Sequence, residues 1–590
     1  MFRTLFRQIR AYRTASILTP FWTALEVVMD VLIPFVTASL IDNGILAGNV
    51  ENVYFYGALM IGMAMLSLVF GIMAGRSSAY ASTGFAANLR SAMFRNIQTF
   101  AFSDIDKYTT SGLITRMTTD VNNLQNAYQQ ILRITVRAPF RLLLSIVMCL
   151  LIDARLSVIF IVAMLVLGFS LFHIIMRVSR FFAQVFAKYD DLNQSVQENV
   201  QAIRLVKAFV REDFENVKFS RAAESLYRLY VKAEATMALN HPVMNIVVYA
   251  CIIALSWWGA HFIVAGTLST GELAALFTYV MSILQALMML SMIIVMLTQS
   301  AASGRRVAEI LDERADIVNP PLPVTTLASG SIEFRHVRFD YETASETQAR
   351  HLLGQSRRSA LFDVSFRIES GETIGVIGGT GSGKSTLVNL VSRLYDVSEG
   401  EVLVDGRNVK EYDLDVLRNA VSVVLQKNTL FTGTLLENLR WGNPDATLEE
   451  CRKACELAQA AEFIEPLPDG YETHVEQGGA NFSGGQRQRL CIARALLKQP
   501  RILVLDDSTS ACDTATDARI RRALHQQLPG MTKLIIAQRI LSIKDCDRIL
   551  VMDGGVVTGF DTHERLLQTN RLYQEIHQLQ SAGNGDFDQS

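Results

Sequence analysis

Residues 373–394 read TIGVIGGTGSGKSTLVNLVSRL, and their reading decides the fold of the C-terminal half. The opening TIGVIG has the β-branched, apolar character of a buried strand, and the run from Ser385 has the apolar spacing of a helix. Between them Gly378, Gly379, Thr380, Gly381, Ser382, Gly383, Lys384, Ser385 and Thr386 fit the pattern GxxxxGK[ST]. Glycines let successive backbone N–H groups turn toward phosphate oxygens, at a helix N-terminus whose dipole favours anions. The spacing assigns Lys384 to the β- and γ-phosphates of a nucleotide and Ser385 to Mg²⁺.

Outward from this loop, strands and helices alternate from Ile332 onward, which indicates an open α/β sheet. ILVLDD at 502–507 reads as a second buried strand, and Asp506 near its end suits Mg²⁺ binding. Tyr341, just ahead of the sheet core, suits either stacking on an adenine or packing as a strand aromatic. The 18 residues from Glu342 to Ser359 form a long connection made basic by Arg350, His351, Arg357 and Arg358. A surface hairpin is the expected form there, with a regulatory or lipid-touching loop as the alternative.

The N-terminal half is different in kind. Apolar segments able to cross a bilayer, or nearly so, fall at about 15–41, 54–78, 136–153, 155–176, 243–265 and 272–298. Six basic residues lie between Arg90 and Arg137 and ten between Arg177 and Lys232, whereas Asp42 to Val53 and Gly266 to Gly271 have none. Positive charge therefore assigns both long excursions and both chain ends to the cytoplasm. The N-terminus carries Arg3, Arg7, Arg10 and Arg13 at helical intervals, the pattern of an amphipathic helix on the membrane surface rather than a signal peptide. A net charge of −2 gives no reason to expect a nucleic-acid partner, and seven scattered cysteines read as thiols in a reducing compartment. The expected organisation is a six-span α-helical domain at 1–302, a linker at 303–330, an α/β P-loop domain with a helical subdomain at 331–580 and a disordered tail at 581–590.

Phe482, Ser483, Gly484, Gly485 and Gln486 resemble the signature of ATP-binding cassette (ABC) proteins. Gln426 in VVLQKNTLF is similar to the glutamine loop of that family, and Ser510, Ala511, Cys512 and Asp513 to its SALD loop. With six spans in the same chain, the sequence resembles an ABC exporter half-transporter over nearly its whole length. The resemblance implies ATP and Mg²⁺ as cofactors, with Gln426 joining Ser385 and Asp506 around the metal. It also implies two halves paired head to tail, so that the signature and Asp513 meet the ATP held by the partner's loop.

Two positions depart from the family. The residue after Asp506, normally the glutamate that orients or activates water, is Asp507. Its carboxylate is drawn back by roughly 1.5 Å, one C–C bond. The histidine expected at the γ-phosphate is Gln538 in LIIAQRI, an amide that donates a hydrogen bond but carries no charge. Both lie in one composite site and point to weak hydrolysis there, beside a nearly intact signature. The loop from Thr473 to Gly479 also departs, with Gln477 where a glutamate is usual.

Thr110, Ser111, Gly112, Leu113, Arg116 and Asp120 resemble the first cytoplasmic loop of these exporters, and Val206 to Phe209 with Glu212 the second. Short coupling helices are expected near 104–110 and 209–216. The last span sets Met281, Gln285, Met288, Met289, Met292, Met296 and Gln299 close to one face. They suit either greasy substrates of varied shape or packing against neighbouring helices. Glu26 and Asp30, one turn apart at membrane depth, are costly unless paired or wet. They suit attraction of cationic substrates, pairing with Arg141, or a place close to the membrane interface.

The expected function is one half of an ATP-driven exporter of amphipathic compounds in the plasma membrane, with a non-identical partner half. Alternatives are a lipid, peptide or siderophore transporter, a slow homodimer hydrolysing through Asp507, or an ATP-gated sensor with little transport.

Overall fold

The structure is a computed structural model and describes residues 1–341, 359–507 and 512–581. The long connection after Tyr341, the Ser510 and Ala511 positions and the tail beyond Ser581 lie outside the described residues. The chain divides into two compact units, residues 1–98 with 111–313, and residues 99–110 with 314–590.

Among the described residues, six helices are long and apolar enough to cross a membrane, at Arg10–Leu46, Val50–Ile97, Thr110–Ile152, Ala154–Val178, Glu212–Val264 and Thr270–Leu290. Several run well past any bilayer. Val50–Ile97 and the helix Ala154–Gln201 each have 48 residues, about 72 Å at 1.5 Å per residue, against a hydrocarbon layer of about 30 Å. The interior is built from residues such as Val27, Val31, Leu156, Leu255, Leu276 and Tyr279. Tyr279 donates its hydroxyl to the carbonyl of Val31 at 2.7 Å. Outward faces stay apolar, with Leu59, Leu151, Phe169 and Ile246 exposed, because a lipid solvent asks only that backbone groups be satisfied within the helix.

Polar side chains fix the helix ends. Ser269 and Glu272 form a reciprocal capping box at the start of Thr270–Asp312. Asp42, after the first span, accepts from the Gly271 backbone N–H at 2.9 Å and so ties the end of the first span to the start of the last. That last helix continues to Asp312, ten residues into the stretch read as linker. Arg306 on it donates to the buried Asp120 at 2.7 Å, and Arg116 pairs with Glu309 at 2.8 Å. A short helix occupies Phe102–Tyr108. In the second excursion a six-residue helix ends at Ala208, and the next begins at Glu212. The segment expected as one coupling helix at 209–216 is instead a bend followed by the first turn of a long helix, because Val210 takes a φ of +52°.

In the second unit, strands β1 (Ile332–Phe339), β2 (Leu361–Ile368), β4 (Glu399–Val404) and β5 (Arg407–Asn408) form an antiparallel sheet in the order β2-β1-β4-β5. The larger sheet uses β3 (Thr373–Gly378), β6 (Val421–Val424), β9 (Ile502–Asp506), β10 (Thr532–Ile536), β11 (Arg548–Asp553) and β12 (Val556–Asp561). Its order is β12-β11-β3-β10-β9-β6, parallel except for the β11–β12 edge. Two short strands, β7 (Gly433–Thr434) and β8 (His474–Val475), pair beside the helical subdomain. The central strands β3, β9 and β10, buried throughout except at Gly378, carry the near-continuous apolar runs that a sheet covered on both faces requires.

Candidate nucleotide site

Ligands of open α/β sheets bind at the carboxyl ends of the strands, and here three adjacent ends carry the chemistry. β3 ends at Gly378, β9 at Asp506, and β10 between them leads into Gln538. Ile536 lies opposite both Val376 and Asp506. The phosphate loop runs from β3 into the helix Lys384–Val391. Gly381 and Gly383 take φ values of +79° and +95°, a left-handed region that side-chain-bearing residues avoid. A Cβ at Gly378 would collide with the carbonyl oxygen of Met552. Lys384 folds over the loop, its Nζ donating to the carbonyls of Gly378 and Gly379, both at 2.7 Å, and to Ser382 Oγ at 3.3 Å. Those donors are poised to exchange carbonyl oxygens for phosphate oxygens.

Asp506 is buried and hydrogen-bonded to Ser385. Burial pushes its carboxyl up from the ordinary value, and the Ser385 hydrogen bond and nearby Lys384 charge oppose that shift. The pair offers the hard oxygen ligands that Mg²⁺ prefers, and Mg²⁺ commonly takes only one or two from protein beside phosphate and water. Among the described residues no group of three or more His, Cys, Asp or Glu could hold a metal. Gln426 is exposed in the bend after β6.

Gln538 and Asp507 meet: Gln538 Nε2 donates to Asp507 Oδ2 at 3.1 Å. Asp507 has a φ of +48°, and its own N–H bonds the carbonyl of Ile536 at 3.1 Å. Gln488, which the sequence reading did not single out, is buried and donates to the Asp507 carbonyl at 3.4 Å. It is the fifth residue of the helix Gly484–Leu497.

Ser483 caps the helix Gly484–Leu497 in a reciprocal box with Gln486. Its Oγ accepts from the Gln486 N–H at 3.2 Å, and Gln486 Oε1 accepts from the Ser483 N–H at 2.8 Å. Ser483 is exposed, and Gly484 and Gly485 are partly so. Phe482 turns inward against Phe463 with ring centroids 6.4 Å apart, behind the exposed loop. Asp513 caps the helix Thr514–Gln527, accepting from Thr516 N–H at 3.0 Å.

Tyr341 reaches the helix of the phosphate loop through its hydroxyl, 3.1 Å from Thr386 Oγ1. Its ring meets Phe339 and Tyr395 edge to face at 4.8 and 5.3 Å. Tyr395, another residue not singled out from sequence, donates to Asp106 at 2.6 Å.

Two family models match this chain. Residues 16–297 match the model for the ABC transporter transmembrane region, and residues 361–510 match the model described as ABC transporter. The chain belongs to the ABC transporter family. It is 35% identical to the uncharacterized ABC transporter ATP-binding protein YfiB of Bacillus subtilis, over 95% of each chain. It is 30% identical to an ATP-dependent lipid A-core flippase of Hahella chejuensis, over 96% of each. Its fold superposes on the structure of a bacterial Atm1-family ABC exporter with ATP bound, with TM-score 0.82 and 24% identity, covering 97% of this chain and 99% of that one.

In the membrane unit of this ABC transporter, Glu26 and Asp30 both face Arg137, whose Nη2 lies 3.2 and 3.4 Å from their carboxylates. Arg141, the partner considered from sequence, lies within electrostatic reach of both acids but makes no ion pair within 4.0 Å among the described residues. Ser67 donates to Asp30 at 2.7 Å. With Arg137 and Arg141 beside them, the two acids are matched by two guanidiniums. Met281 and Gln285 are exposed one turn apart on the last span, while Met288 packs partly into the helix core. The side chains of Met292 and Gln299 lie outside the described set.

Proposed function

We propose that this multi-pass ABC transporter is the weak-site half of a heterodimeric, ATP-driven exporter of amphipathic compounds. The observation that carries the reading is the Gln538–Asp507 hydrogen bond. An amide occupies the carboxylate oxygen that an attacking water would use, and no cationic side chain stands at position 538 to meet the γ-phosphate. In this reading Lys384 and the amides of Gly379 to Ser385 hold ATP phosphates, Tyr341 flanks the adenine, and Ser385, Asp506 and Gln426 serve Mg²⁺. Bound Mg²⁺ would neutralise charge developing on the transferred phosphoryl group. Ser483, Gly484 and Gly485 then complete the partner's site, with the Ser483 hydroxyl and the start of a 14-residue helix facing the partner's γ-phosphate.

An amphipathic cargo is supported by the exposed Met281–Gln285 edge and by the relative named as a lipid A-core flippase. The charge pattern of the loops supports cassettes on the cytoplasmic side of the plasma membrane. The deciding experiment compares ATP hydrolysis by this chain alone with that of a co-expressed pair. Slow turnover alone and fast turnover in the pair is the expected result. Fast turnover by the chain alone would replace the heterodimer with a homodimer using Asp507.

A further inference from the structure

The first and third spans carry facing stripes of polar side chains. On the first they are Thr23, Glu26 and Asp30, and on the third Arg137, Arg141 and Ser145, each about one helical turn apart. Within this array Arg137 bridges the two acids, yet its Nε–H has no partner. Glu26 is 7% exposed, and its Oε2 has no partner. Arg137 Nε, Arg141 Nε, Thr23 Oγ1 and Ser145 Oγ are likewise buried without a partner. Buried polar atoms without partners are rare because each carries its full desolvation cost. Several in one place within a membrane indicate polar matter that belongs there.

The second span borders this array. A Cβ at Gly71 would come within 3.1 Å of Glu26 Oε1, so the second span passes close beside this carboxylate. Trp22, one turn before Glu26, stacks on Phe70 with centroids 5.9 Å apart and walls one side with aromatic surface. We propose that this array is a binding site for the head group of a zwitterionic amphiphile. Its cationic part lies on Glu26 Oε2, and its anionic part accepts from the Nε–H groups of Arg137 and Arg141.

Charge balance selects that class. Two carboxylates and two guanidiniums sum to zero, so a ligand of net charge would leave an uncompensated charge in a low-dielectric layer, whereas a zwitterion adds none. The inference rests on the exporter reading above and names the substrate class for it. The same head-group chemistry is offered by a membrane phospholipid and by a free zwitterionic surfactant.

The test uses the full chain in phosphatidylglycerol nanodiscs, with Trp22 fluorescence as the binding signal in a background where Trp257, Trp258 and Trp441 are phenylalanine. The probes, below their micellar concentrations, are dodecylphosphocholine, dodecyl sulfobetaine, dodecyltrimethylammonium, dodecyl phosphate and dodecyl maltoside. Both zwitterions are expected to bind at least tenfold more tightly than the cation, the anion and the neutral head. Binding of the phosphocholine alone would confine the site to lipid-type head groups. Glu26→Gln and Arg141→Gln should each remove most of the preference, and Arg141→Gln breaks no ion pair seen among the described residues. Equal affinity for all heads, or a preference untouched by both variants, overturns the site. ATP hydrolysis by the co-expressed pair separates the two readings. Selective binding without any effect on hydrolysis would leave the site standing and overturn transport of the ligand, whereas stimulation by every head group alike would overturn the site and spare the exporter.

Discussion

Gln538 Nε2 and Asp507 Oδ2 stand 3.1 Å apart at the ends of neighbouring parallel strands. The contact exists because Asp507 adopts a left-handed backbone conformation, which for a non-glycine residue costs on the order of 1–3 kcal/mol and persists only where its surroundings hold it. Its N–H donates to the Ile536 carbonyl and its carbonyl accepts from Gln488, and these two bonds supply that hold. A glutamate here carries its carboxylate one bond further, and a histidine at 538 places a chargeable ring on the phosphate side. Asp507→Glu combined with Gln538→His should raise phosphate release by the purified chain by about tenfold or more, equivalent to about 1.4 kcal/mol of barrier. Each single change should give less, because the two groups act on one water and one phosphate. An unchanged rate in the double variant would place the deficit outside this pair.

The signature should matter to the other nucleotide. Removing one preorganised donor from a charged transition state costs about 10²-fold or more in rate. In the co-expressed pair, Ser483→Ala is therefore expected to lower hydrolysis about 10²-fold, while Lys384→Ala, which disables only this chain's own loop, leaves most of it. Loss of Ser483 also removes a helix cap worth about 1 kcal/mol, so thermal unfolding of the variant separates the two effects. Equal losses from the two substitutions would show two equivalent sites.

The nucleotide loops were legible in sequence because backbone conformation dictates their residues. Glycines at 381 and 383 are required by positive φ, and Ser483 with Gln486 by a cap that spans three residues. Six spans were legible because apolar length against bilayer thickness is a one-dimensional property. What was not legible depends on the rotation of one helix against another. Arg137 and Arg141 are one turn apart on one face, and which of them reaches Glu26 and Asp30 is set by packing among three helices. The Tyr395–Asp106 hydrogen bond joins residues 289 apart in sequence, and periodicity has nothing to say about such a pair.

Asp120 and Arg306 offer a test of the membrane unit. Asp120 is 1% exposed and takes hydrogen bonds from Ser303 at 2.8 Å and from Arg306 at 2.7 Å. Asp120→Asn keeps the shape but removes the charge that two donors address. With Arg306 nearly half exposed, the expected cost is that of a charged hydrogen bond, about 1.5–3 kcal/mol. The loss should appear as a lower unfolding midpoint of the solubilised chain. Asp120→Leu should cost more than Asp120→Asn, because it strands both donors. Equal midpoints for wild type and both variants would show the contact to be energetically idle.

His563 gives the cassette a pH dependence. Its Nδ1 lies 2.7 Å from the hydroxyl of fully buried Tyr573, and its ring sits 5.8 Å from that of His577. Burial first, then the neighbouring His577 and Lys544, hold it below the ordinary value of 6.5, against the opposite pull of Glu564 and Asp545. The folded cassette thus resists the proton that the unfolded chain accepts, and over that interval the unfolded state binds more protons, so stability rises with pH. The contribution is complete above pH 6.5 and is lost as pH falls through the lower folded value. Thermal unfolding midpoints recorded from pH 7.5 to 5 should fall, by about 2–4 °C for each kcal/mol lost in a domain of this size. His563→Gln, which keeps a hydrogen-bonding partner for Tyr573 but does not titrate, should flatten that fall relative to wild type. Parallel curves for the two proteins would assign the acid sensitivity to other groups.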